Sequence, residues 1–343
     1  LTTVASFAVL GYYGTEIYRH APPYPEKTVS QSGETVYTGE QIKTGQAVWQ
    51  SIGGQEVGSI WGHGAYVAPD WSTDWLHREI LYLAETWSQR DYQTSFADLE
   101  DVPRAAIEHR IKREYRTNTY DTATDQLIVS DDRALAIHAM GRYYAAIFGD
   151  AEAFDADLQF LSDGGMTPPE LRDAYAIPAM TIKHDDRQEA MNSFFFWSAW
   201  ACGAERHTAL ADNDGGEALV SYTNNWPPEP LIDNRPSGSI ILWSVVSFVV
   251  LLAGVGALAW YYAVIKHNEE EPAEVAESDP LLALKPTPSM KATLKYFWVV
   301  AALMVVQIVL GAVTAHYGVE GEAFYGIPLA EWLPYSVTRT WHT

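Results

Sequence analysis

The chain has 343 residues, with 44 Asp and Glu against 22 Lys and Arg, and a formal net charge of −22. That acidic surplus excludes nucleic acid as a partner, because phosphate backbones are bound by clustered Lys and Arg, while a content of 48% apolar and 13% aromatic residues excludes an acidic disordered tail. A single cysteine, Cys202, excludes an intrachain disulfide framework, a CxxC zinc finger and a covalently attached CxxCH haem.

The opening segment, LTTVASFAVLGYYGT, is uncharged up to Glu16 but only 15 residues long. A secretory leader core is one reading. Tyr12, Tyr13 and Tyr18 followed by Arg19 look like an interfacial belt and favour a first spanning helix at 1–19, trimmed at its start. Residues 20–238 carry 16 Lys and Arg against 34 Asp and Glu, so −18 of the total −22 lies there and marks a soluble domain.

Inside this domain the pattern is mainly helical. Helices are predicted at Thr38–Gln50, where Thr38 can cap, and at Ser72–Gln89, where Trp75, Ile80, Leu83 and Trp87 share helical spacing. Others follow at Val102–Tyr115, Asp131–Phe148, Asp155–Leu161, Pro169–Tyr175 and Asp186–Ala201, and the strand-like pieces are Val29–Tyr37 and Gln126–Val129. Between the first two helices runs IGGQEVGSIWGHGAYVAPDW, residues 52–71, whose glycines let the backbone approach a partner closely. It lacks the order of a nucleotide-binding loop. Two readings stay open: a compact loop packed by Trp61 and Trp71, or main-chain carbonyls offered to a hard cation or a neighbouring surface.

Ser239 to Ile265 is a run of 27 residues without a charge, enough to cross a bilayer, for which about 20 suffice. The 266–295 linker holds Lys266, Lys285, Lys291 and Lys295, which places it in the cytoplasm and the acidic domain outside. A second span is predicted at 296–319, followed at 320–343 by an external loop and the start of another helix. His316 and Glu320 stand four apart, which puts them on one face if the helix continues. An isolated interfacial His is commonly decoration; paired with a carboxylate it can also serve a proton-releasing substrate such as a quinol. His342, three residues after Arg339, has the chemistry of an iron ligand with an Arg available for a carboxylate such as a haem propionate, though the spacing has low specificity.

Five pieces of sequence carry a resemblance: YPEK at 24–27, YTGEQIKTGQAVWQSIGGQEVGSIWGHGAYVAPDWSTDWLHRE at 37–79, NSFFFWSAW at 192–200, SYTNNWPPEP at 221–230 and WLPYSVTRTWHT at 332–343. Together they resemble the N-terminal part of quinol-dependent nitric oxide reductase, of the haem-copper oxidase superfamily. The resemblance implies a mainly α, haem-less cytochrome c-like domain outside the cell membrane, inserted between the transmembrane helices of a polytopic protein. It implies that His342 is an axial ligand of low-spin haem b with Arg339 near the propionates, that His316 and Glu320 line the quinol pocket, and that the main-chain carbonyls of Gly64 and Tyr66 help hold calcium. Haem b3 and the non-haem iron belong to later helices, so no catalytic metal ligand is expected in this segment, which is expected to be part of a longer chain or one half of a split protein. The implied partners are quinol, nitric oxide, the bilayer and the remainder of the catalytic polypeptide, with a homodimer as one open arrangement. A rival reading is a non-catalytic membrane-anchored scaffold that docks an electron donor. An oxygen-reducing oxidase subunit fits less well, because a copper-carrying subunit needs clustered Cys and His.

Overall fold

The computed structural model describes residues 2–65, 68–150, 154–175, 177–211, 217–236, 238–268, 277–319, 333, 338, 341 and 342. They fall into two compact units, Leu1–Pro236 with Leu310–Thr343, and Ser237–Val309.

The first unit opens with helix α1, Thr2–His20. The expected single strand at Val29–Tyr37 is instead a hairpin: β1, Lys27–Ser30, and β2, Thr35–Thr38, pair antiparallel around a turn at Gly33. The intervening QSGE is turn chemistry rather than strand chemistry. β1 also pairs in parallel with β4, Gln126–Val129, which pairs antiparallel with β3, Tyr120–Asp121, giving the order β2-β1-β4-β3.

Helix α2, Gly39–Ser51, starts on a capping box in which Thr38 Oγ1 accepts from the Gln41 amide at 3.2 Å and Gln41 Oε1 accepts from the Thr38 amide at 2.8 Å. Helices α3, Trp71–Tyr92, α4, Asp101–Arg116, α5, Asp131–Phe148, and α6, Pro168–Tyr175, follow. The segment expected as a helix at 155–161 is a 3₁₀ run, Ala156–Leu161.

Helix α7, Asp185–Gly203, is the centre of the unit, and every residue from Ala190 to Gly203 is buried. Its sequence is apolar on all sides, as a helix surrounded by others requires. Two of its serines bond locally, Ser193 Oγ donating to Ala190 O at 2.7 Å and Ser198 Oγ to Phe195 O at 2.8 Å, while Asn192 Nδ2 donates across to Gly141 O of α5 at 3.1 Å. α2 crosses α7 at Gly45, where an added Cβ would lie 1.9 Å from Ala190 O and 2.8 Å from Phe194 Cβ. Only glycine permits that approach. Aromatic rings fill the adjoining space. Trp71 stacks on Phe195 with centroids 5.6 Å apart and Trp75 on Tyr144 at 5.1 Å, in offset geometries that add about 0.5–1.5 kcal/mol per pair beyond their burial.

After α7 the chain forms a second, antiparallel pair that the sequence pattern does not reveal, β5, Glu205–Ala211, and β6, Glu217–Ser221.

In the second unit, helix α8, Gly238–Asn268, is followed by helix α9, Pro288–Val319, which continues into the first unit. Pro288 at the first helical position, with the Thr287 hydroxyl accepting from the Met290 amide at 3.3 Å, starts α9 eight residues before the expected span at 296. Among the described residues two segments are long and apolar enough to cross a membrane, Ile241–Lys266 and Pro288–Thr314, with large apolar side chains exposed along both. α1 is not one of them.

Candidate functional site

Four of the segments that carry the resemblance, far apart in sequence, converge on the glycine loop at 52–71. Its anchor is Asp70. Oδ1 caps α3 by accepting from the amides of Ser72 at 3.1 Å and Thr73 at 3.2 Å, and Oδ2 accepts from Ser59 Oγ at 2.7 Å and the Gly62 amide at 2.6 Å. Ser59 Oγ in turn accepts from the Gly64 amide at 2.8 Å. One carboxylate therefore ties the helix start to the loop. Gly64 has φ +81, and a Cβ there would meet Ala68 O at 2.8 Å, so the turn requires glycine.

Tryptophans fasten the loop to the rest of the domain. Trp61 Nε1 donates to Ser198 O at 2.9 Å, and its ring lies 5.3 Å from that of Trp197, which itself stacks on Tyr24 at 4.4 Å. From the 221–230 segment, Trp226 Nε1 donates to Gly62 O at 3.1 Å while its ring lies 4.6 Å from the exposed His63 imidazole. Beneath the loop Cys202 is fully buried among Thr223, Ser72 and Trp61. Burial pushes its thiol well above the ordinary range and the nearby Asp70 carboxylate adds to this, so Cys202 is an inert packing group.

The charged residues that the same motif places on α3 point inward. Arg78, 2% exposed, holds Asp74 through two bonds of 2.9 and 2.8 Å and also donates to Leu161 O, while the Tyr144 hydroxyl donates to Asp74. One residue on, Glu79 is fully buried, accepts from Trp75 Nε1 at 2.7 Å and pairs with Arg133 at 2.8 Å. Desolvation works against the Arg133 charge, but Glu79, Tyr115 and Glu114 together outweigh it and leave the guanidinium above its ordinary range. Arg133 also lies 4.3 Å from the Tyr115 ring centre. His77, half-exposed, binds the buried Glu229 through Nδ1 at 2.9 Å, and that bond raises the imidazole above its usual pKa.

Sequence reasoning misses Asp70, Asp74, Arg78 and Glu79 as builders of the site. The available signal is an unusual density, six charged residues and three tryptophans from position 70 to position 90, on a single helix and its cap.

Of the residues singled out from the sequence, Gly64 sits in the loop as described, and Tyr66 lies outside the described residues. The nearest carboxylate, Asp70, is fully engaged by internal donors. A calcium ion takes six to eight oxygens, and the loop's described portion fits it as a donor of main-chain carbonyls only. Among the described residues no group of three or more His, Cys, Asp and Glu is placed to hold a metal. His342 is half-buried against α9, where a side chain at Gly311 would begin 2.6 Å from His342 Cε1. Position 316 falls in α9, about 140° round the helix from 311. Glu320 and Arg339 lie outside the described residues.

A mainly helical domain around a glycine loop, carried with two apolar helices, defines a membrane-associated protein with a cytochrome c-like domain. The family model for the NorB cytochrome c-like domain of nitric oxide reductase matches residues 25–228, more than half of the chain, and the chain belongs to that family. No match is found among curated proteins.

Proposed function

We propose that this chain is the N-terminal part of a quinol-oxidising nitric oxide reductase, in which two NO and one quinol give N2O, water and quinone. The two electrons and two protons released by quinol balance the reduction of two NO. The observation that carries the reading is the family match over 25–228 in a chain whose one cysteine, Cys202, is buried and stands outside any CxxCH. A cytochrome c-like domain that has no thiols for covalent haem attachment suits an enzyme fed by quinol in the membrane rather than by a wired haem c.

In this reading the domain lies on the extracytoplasmic side and the apolar helices anchor it. His316 and Glu320 serve the quinol, one by hydrogen bonding its hydroxyl and one by taking its proton. His342 would hold low-spin haem b, with Arg339 to pair with its propionates, and the haem would supply one-electron transfer when bound. What supports the assignment is the RTWH resemblance; the imidazole itself packs on α9 at Gly311, where a Cβ would lie 2.6 Å from its Cε1 and 2.9 Å from its Nδ1. Calcium belongs to the same proposal: the main-chain carbonyls of Gly64 and Tyr66 would help hold it, as neutral donors that leave its charge to be balanced elsewhere. Haem b3 and non-haem iron belong to the remainder of the polypeptide.

The test uses the protein with its native continuation in membranes. His342→Ala is expected to remove the low-spin haem signal from the reduced-minus-oxidised spectrum while the extracytoplasmic domain keeps its protease resistance. Glu320→Gln is expected to raise KM for quinol while that spectrum is unchanged. A full low-spin signal in His342→Ala refutes the assignment and favours a scaffold that docks an electron donor.

A further inference from the structure

On a domain whose charge is −18, one face is basic. Along α4, His109, Lys112, Arg113 and Arg116 stand at i, i+3, i+4 and i+7, the spacing that places side chains on a single helical face. With Pro230–Arg235 they line an open cleft of about 760 Å³. Arg116 turns inward, bound to Glu205 at 2.8 Å and Asn234 Oδ1 at 2.5 Å. Lys112 and Arg235 both hold Asp233, each at 2.9 Å, a trio that keeps one net positive charge, and Asp233 is thereby held below the ordinary carboxylate range. Arg113 and His109 are exposed, and neither has a side-chain partner among the described residues. Glu108 is the other acid of the cleft. The cations of a strongly acidic domain are thus gathered where a compact anion fits.

The chain itself suggests which anion. Arg235 precedes Ile241, the first residue of an apolar segment, by six positions, and six residues reach no further than about 20 Å. A lipid headgroup layer attracts basic groups only within a Debye length of about 8–10 Å. The acidic remainder of the domain is repelled by an anionic bilayer, and a local basic cleft whose chain is joined to the anchor by so few residues offsets that repulsion. We propose that this cleft binds a phosphate-type anion, presented as the headgroup of an anionic phospholipid. The site is independent of the redox reading.

The test is calorimetric titration of the full chain in a neutral maltoside detergent with dihexanoyl-phosphatidylglycerol, dihexanoyl-phosphatidylcholine and inorganic phosphate. Phosphatidylglycerol is expected to bind and phosphatidylcholine not. The double variant Arg113→Gln/Arg235→Gln alters two exposed side chains and is expected to weaken phosphatidylglycerol binding by at least about tenfold. Arg142→Gln, at an exposed cation elsewhere, is expected to change nothing. Equal binding of the two lipids, or undiminished binding by the double variant, overturns the proposal. Inorganic phosphate binding as tightly as phosphatidylglycerol overturns the lipid assignment and leaves a site for the free anion.

Discussion

Substituting Glu79→Gln removes one charge from the centre of the domain while keeping the shape of the side chain. Glu79 is fully buried, and Arg133, its partner at 2.8 Å, is 3% exposed, so the guanidinium has no route to water once the carboxylate is neutral. Breaking a buried pair from one side costs about 3–5 kcal/mol, and the lower end applies because the amide oxygen still accepts one bond. Unfolding a unit of about 200 residues releases on the order of 0.4 kcal/mol per degree of entropy, so about 3 kcal/mol lowers Tm by roughly 7 °C. The assay is thermal unfolding of the full chain in detergent followed by tryptophan fluorescence, to which Trp75, bonded to Glu79 at 2.7 Å, contributes. Glu79→Leu/Arg133→Met is expected to recover most of the loss, since replacing both partners leaves no orphan charge. A drop in Tm below about 2 °C for Glu79→Gln, or a double variant worse than the single, refutes the reasoning.

At the α2–α7 crossing, Gly45→Ala places a carbon 1.9 Å from Ala190 O and is expected to cost about 3 kcal/mol, read as a similar fall in Tm. His77→Gln should change the pH dependence of unfolding. The folded imidazole is raised above its usual 6.5 by Glu229, so its contribution is complete below that value and disappears as pH rises through the folded-state pKa. The difference in Tm between the parent chain and His77→Gln is therefore expected to shrink between about pH 6 and 8, and a constant difference counts against the pair. Cys202 is expected to react with iodoacetamide at least on the order of a hundredfold more slowly in the folded than in the urea-unfolded chain, measured by mass, because the thiol is buried and its ionisation suppressed.

What can be read from the sequence follows from how local the determining forces are. α5 falls on Asp131–Phe148 as expected because its signals are contiguous: Ser130 caps it through a bond of 3.2 Å to the Arg133 amide, two Asp residues favour its first turn, and Gly149 ends it. β5 and β6 leave no such trace, because ERHTALA and EALVS mix charge and alanine without alternation, and their pairing is decided by the partner strand. The glycine loop is legible as a loop. Its anchor is not, since nothing near Asp70 in sequence shows that one oxygen caps α3 while the other holds Ser59 and Gly62. Arg78, Glu79 and Arg133 are hidden for a related reason: a charged residue on a helix is ordinarily solvated, and only the assembled fold shows that its partner is buried beside it.

These buried charges bear on what the domain contributes. Asp70, Asp74, Arg78 and Glu79 belong to the segment that carries the resemblance, yet each is engaged by internal donors or acceptors. Glu229, in a second such segment, holds His77 and the Leu231 amide. Groups tied up in this way fix a surface. The surface they fix is the loop with Trp61, His63 and Trp226, of which His63 is exposed and the two indoles are anchored by bonds of 2.9 and 3.1 Å. Substitution of any of the five acidic or basic residues is thus expected to lower activity in proportion to Tm, whereas exchanging His63 for Ala is expected to leave Tm within about 2 °C, read by thermal unfolding.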